Sequence, residues 1–110
     1  MDISDRVESI GKNMSAILIK GLRSGKIVLE RAQEIAGFYL DKVENVTNEE
    51  ELNKDIQEME ATMPEMKTVV EFAKAQEKEL HEQVLKQRIE ELMKAGKIEE
   101  AAELAKNKTL

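Results

Sequence analysis

The chain has 110 residues, a net charge of −6, 36% charged side chains, and two Phe, one Tyr and no Trp. This length is that of one domain, and the aromatic-poor, charge-rich mixture favours long solvated helices over a compact α/β globule. The absence of cysteine excludes disulfides and thiolate metal sites.

The first pattern in the chain is a stripe of Ile3, Val7, Ile10, Met14 and Ile17 at alternating spacings of four and three, widened by Leu18 and Leu22. Such spacing places one apolar face on a helix. A second helical pattern covers roughly 26–46. Val28, Ala32, Ile35, Ala36, Tyr39, Val43 and Val46 share one arc, flanked by Leu29 and Leu40, while Ile27 and Phe38 fall outside it. These two residues are therefore either covered by a neighbouring helix or form a contact patch. Together the two patterns define an N-terminal helical pair over 1–46.

Between the two patterns lies Gly21-Leu-Arg-Ser-Gly25-Lys26. A phosphate-binding P-loop needs four residues between its glycines and a hydroxyl after the lysine. Here three residues separate Gly21 from Gly25, and Ile27 takes the hydroxyl's place. The expectation is a helix ending at Ser24 with Gly25 in the left-handed conformation; the alternative is one long helix using both glycines for close packing. The same Gly-Lys-Ile triplet recurs at 96–98 between two helical patterns, which favours the break.

Asn45-Val-Thr47-Asn48 supplies a stop and a restart, with Thr47 and Glu50 or Asn48 and Glu51 forming a capping box. An acidic connector, 47–63, follows, with six acidic side chains against one basic. Leu52, Ile56, Met59, Met63 and Met66 continue at helical spacing, and Pro64 interrupts the register. The reading is one helix over 48–61 and another over 64–95, with a kinked continuous helix as alternative. Met59, Met63 and Met66 suit a core, or an adaptable groove if the acidic helix moves aside.

The 64–110 segment reads as a long helix followed by a C-terminal hairpin. A helix over 64–95 would run about 48 Å, longer than the roughly 34 Å diameter of a compact globule of this size. Its apolar face rotates: Met66, Val69, Val70, Ala73, Leu80 and Val84 lie on one side, and Leu85, Ile89, Leu92 and Met93 lie roughly 130° away. Gly96 is placed to end that helix, and a short one over about 97–107 would fold back on the second face. Gly96-Lys-Ile98-Glu-Glu-Ala101 is similar to the turn and second-helix start of a tetratricopeptide repeat. The likeness covers less than half of one repeat and lacks its aromatic positions, closing proline and second copy, so it implies a helical hairpin and no repeat array.

The candidate chemical sites are few. His81 has Lys78 three residues before it, so the Glu-x-x-His motif of helical di-metal sites is missing, and Glu77 at i−4 is its natural partner. Glu99-Glu100-Ala-Ala-Glu103 is similar to the first metal-binding element of MazG-type nucleotide pyrophosphohydrolases. That resemblance implies a metal-dependent helical hydrolase, but the family's downstream Glu-x-x-Asp has no counterpart here. Lys20, Arg23, Lys26 and Arg31 form the densest local set of cations, without the aromatic partners that nucleic-acid binding would add. No apolar run approaches the roughly 18 residues of a membrane span, and the start has no basic region resembling a signal peptide.

The sequence therefore predicts an all-α, elongated fold of four to five helices, completed by homodimerisation, in a cytoplasmic protein without cofactor, nucleic-acid or membrane partner. Its expected role is non-enzymatic binding of other proteins through Ile27, Phe38, Met59, Met63, Met66, Leu85, Ile89, Leu92 and Met93. The alternative is a small helical metal-dependent hydrolase whose carboxylate site forms across an oligomer.

Overall fold

A computed structural model describes residues 2–107. Among them the chain forms five α-helices and no strand: α1 (Ile3–Ser24), α2 (Leu29–Asp41), α3 (Glu49–Thr62), α4 (Lys67–Lys94) and α5 (Ile98–Asn107). Short 3-10 turns at Val43–Asn45 and Pro64–Met66 link α2 to α3 and α3 to α4. The fold is all-α with one long helix. The last three residues of the expected 64–110 segment lie outside the described residues.

Helix boundaries follow local chemistry. Asp2 starts α1, its carboxylate accepting from the Asp5 amide at 2.9 Å. Gly25 ends it at φ 76°, and its amide donates to the Leu22 carbonyl. This is the expected break; only a residue without Cβ enters that region cheaply. The second helix is shorter than the 26–46 expected. Ile27 turns back so that its amide reaches the Gly21 carbonyl at 3.0 Å, and Asn45 Nδ2 donates to the Leu40 and Asp41 carbonyls, closing the other end. Asn48 caps α3 by accepting from the Glu51 amide at 2.9 Å, while Glu51 accepts from the Thr47 amide and hydroxyl at 2.7 Å. Those bonds hold the Glu51 carboxyl below its ordinary range, the Thr47 hydroxyl contributing most. Pro64 separates two helices: Met63 is extended in φ at −128°, and Pro64 opens the 3-10 turn, where its missing N–H is tolerated.

The chain divides into two compact units, Met1–Ala73 and Lys74–Leu110, with the boundary inside α4. The first unit has a closed core. Val7, Ile10 and Met14 of α1 meet Ile35 and Phe38 of α2, Leu52, Ile56 and Met59 of α3, and Val69, Val70 and Ala73 of α4. Val43, Met63 and Met66 fill it from the turns. The arc expected on α2 shifts: Phe38 joins the core, while Val28, Leu29 and Leu40 are exposed. The rest of the expected arc faces inward, Ala32, Ile35 and Val43 buried and Ala36, Tyr39 and Val46 half-buried; Val28 departs from it because it precedes the helix.

Arg6, which no pattern singled out, is fully buried. Its Nη1 pairs with Glu49 at the start of α3, and its Nη2 donates to the Ala73 carbonyl at 2.9 Å. A second arginine, Arg31, clamps the α3–α4 turn. Its Nε and Nη2 donate to both oxygens of Glu65 at 2.6 and 3.0 Å, and Nη2 also reaches the Thr62 carbonyl at 2.8 Å. The planar guanidinium fork suits this two-pronged contact.

The second unit is a hairpin of the C-terminal part of α4 and α5. Gly96 takes φ 79°. The Lys97 amide donates to the Leu92 carbonyl at 2.9 Å, and the Gly96 amide to that of Met93 at 3.1 Å. These are the two bonds of a Schellman motif. Leu92 and Ala101 are buried, and Leu85, Ile89 and Leu104 are half-buried.

Candidate functional site

The nine residues singled out for partner binding divide sharply. Ile27, Phe38, Met59, Met63 and Met66 lie inside the first unit. The methionines stand in register with Leu52 and Ile56, which carries them into the core beside Val69 and Val70. Ile27 folds onto Gly21, where any Cβ would collide with the isoleucine side chain. Gly21 is thus a close-packing glycine and Gly25 a helix-ending one; the helix breaks as expected, and the alternative of one continuous helix does not form. As placed, these five side chains are buried and stabilise the fold, with only the edge of Ile27 reaching the Lys20–Lys26 groove.

The other four belong to the hairpin. Leu92 is 8% exposed and is buried together with Ala101 at 3%. Leu85 and Ile89 are half-buried, and Met93 is 52% exposed. Val84 and Ile98, absent from that set, are more open still at 66% and 68%. At about 100° per residue, Leu80 and Val84 face well away from Leu85, Ile89 and Leu92. One short helix can cover only one of these faces, so an apolar face remains uncovered within the hairpin itself. Their exposure was not legible in sequence, because helical spacing marks apolar stripes without marking which are covered.

A groove of about 410 Å³ in the first unit is lined by Ile17, Lys20, Gly21, Ser24, Lys26, Ile27, Glu65 and Thr68. The side chains of Lys20, Arg23 and Lys26 have no ion pair or hydrogen bond among the described residues. Arg31, the fourth member of the cation set, is held by Glu65, Glu34 and Thr62. The Arg31 guanidinium keeps the Glu65 carboxyl below its ordinary range, and Glu65 raises the arginine in return. The unanswered charge of this groove is therefore positive, with an aliphatic floor. Three other grooves differ. One is rimmed by Glu8 and Glu44, another by Glu60, Lys67 and Glu71, and a third by Glu8 and Lys12, which pair with each other at 3.3 Å.

His81 is solvent-facing, with Nε2 4.0 Å from Glu77. Glu99, Glu100 and Glu103 are exposed on α5. Among the described residues no three carboxylate or imidazole side chains come together in a way that could hold a metal ion. Nor is any helix among them long and apolar enough to cross a membrane. Comparison with protein-family models, with curated proteins and with solved structures gave no match.

Proposed function

We propose that this is a non-enzymatic protein-binding module of the cytoplasm, an adaptor, regulatory subunit or chaperone-like binder that acts through apolar helix faces and is itself a homodimer. The observation that carries the reading is the exposure of large apolar side chains on more than one face of the hairpin. Val84, Met93 and Ile98 each expose more than half of their surface, in an element whose buried apolar side chains among the described residues are only Leu92 and Ala101. The first unit, which also exposes Val28, Leu29 and Leu40, closes a core of fourteen buried side chains. A single exposed aliphatic residue is ordinary on a soluble protein, but several on one two-helix element are the form in which helical binding surfaces occur. Helical elements gain most of their stability from packing of an apolar face, and with so little apolar surface buried the hairpin stands to gain from further cover.

The test compares the full chain with the variant Val84→Asp/Met93→Asp as bait for proteins of native lysate. Species retained by the wild type and lost by the variant, with unchanged helical circular dichroism in both, support the reading. Identical retained sets would sink it.

A further inference from the structure

α5 carries a second apolar surface, turned roughly 100° from its buried Ala101–Leu104 side. Ile98, Ala102 and Ala105 are all exposed and spaced at i, i+4 and i+7, which makes one straight apolar strip. Glu99 and Glu103, one turn apart, line a single edge of that strip. Neither glutamate has an ion pair or side-chain hydrogen bond among the described residues. The groove between the end of α1 and the start of α4 offers the complementary apolar lining and unanswered charge. Its apolar members are Ile17, Gly21 and Ile27, and its unanswered charges are Lys20 and Lys26. Gly21 is covered by the Ile27 side chain, so the floor is formed by the outer edges of Ile17 and Ile27, and the alanines of the strip let an incoming helix approach that shallow floor closely.

We propose that this groove receives α5 of a second copy of the chain. Ile98, Ala102 and Ala105 lie on the aliphatic floor, with Glu99 and Glu103 against Lys20 and Lys26. Glu65 shares the groove, but its charge is answered by the bidentate contact from Arg31 at 2.6 and 3.0 Å. The acidic helix α3 is a poorer occupant, because its Leu52, Ile56 and Met59 are buried in its own core, leaving only carboxylates to offer. A two-fold axis makes the contact twice per dimer, and such a closed pair does not propagate. The inference rests on the homodimer of the preceding reading and specifies its interface.

The decisive experiment uses two charge-reversed full-length variants, Lys20→Glu/Lys26→Glu and Glu99→Lys/Glu103→Lys, in sedimentation equilibrium at tens of micromolar and low salt. All four positions are exposed, so both variants retain the wild-type circular dichroism. The wild type is expected to be a dimer, and each variant alone a monomer, with dimerisation weakened roughly tenfold or more. An equimolar mixture of the two variants restores a dimer, since each reversed groove then meets a reversed helix. A mixture that stays monomeric, or variants that dimerise as well as the wild type, overturns the interface and leaves the homodimer itself standing. A wild type that is monomeric under these conditions overturns both.

Discussion

The Arg6 guanidinium reaches from α1 to the Ala73 carbonyl of α4 at 2.9 Å, while its other terminal nitrogen holds Glu49 at the start of α3. One buried cation therefore joins three helices beside an otherwise apolar core. A buried charge is tolerated only when its donors are satisfied, and breaking such an arrangement leaves partners unanswered and a void behind. Arg6→Ala should lower unfolding free energy by about 2–4 kcal/mol. Arg6→Met, which keeps much of the volume, should cost less. Urea denaturation of the two variants checks the order; equal losses would assign the effect to the lost hydrogen bonds and charge, with no contribution from volume.

Glu65 makes the stability of the first unit depend on pH. Its folded-state carboxyl lies below the ordinary value because Arg31 donates to it. Its contribution is therefore fully present above the unfolded value, near 4.3, and is lost as pH falls through the folded one. Glu65→Gln should destabilise by about 1 kcal/mol at neutral pH. Melting curves of wild type and variant should converge in the acid range, and a constant difference down to the acid limit would contradict the assignment.

Asp55 has the opposite sign. Burial, the largest influence, raises its carboxyl above the ordinary value, against a lowering pull from Lys42. A raised carboxyl stabilises the folded state at low pH and loses that contribution as pH climbs through the folded value. Asp55→Asn is expected to leave neutral-pH stability unchanged or slightly higher, with a gain of at most about 0.5 kcal/mol. A clear drop in melting temperature at pH 7 would show that the charge is needed there.

Four glycines should respond differently to alanine. Gly37, in the body of α2, has open space where a Cβ would go, so Gly37→Ala should stabilise by about 0.5–1 kcal/mol through helix propensity alone. At Gly11 a Cβ would sit 2.5 Å from Tyr39 Oη, and at Gly21 it would strike Ile27. Both substitutions should cost about 1–3 kcal/mol by overpacking. Gly25→Ala has room but must hold φ 76°, at roughly 1 kcal/mol. Thermal melts of the four variants test the ranking, and a destabilised Gly37→Ala would refute its propensity argument.

The hairpin should separate stability from exposure. Leu92→Ala removes the main side chain buried with Ala101 and should cost about 2 kcal/mol or more, with faster amide exchange along α5. Val84→Asp, on an open face, should change stability by less than about 0.5 kcal/mol. If the two variants unfolded alike, the assignment of faces would be wrong.

Much of this protein is local and was legible in the chain. Gly25 and Gly96 end helices because left-handed backbone is cheap only without Cβ, and Asn48 starts one because its side chain satisfies an orphan amide. The spacing from Leu52 to Met66 identifies one apolar stripe whether or not its partner is known. Tertiary structure decided the rest, because identical local signals acquire different neighbours. The same Gly-Lys-Ile triplet buries Ile27 on Gly21 and leaves Ile98 open, since only the first stands beside a side chain-free helix surface. Arg6 reads as one charge among many until α3 and α4 bring Glu49 and the Ala73 carbonyl to it. The positive character of the Lys20–Lys26 groove is likewise a product of folding, which answers Arg31 with Glu65 and leaves the two lysines unpaired.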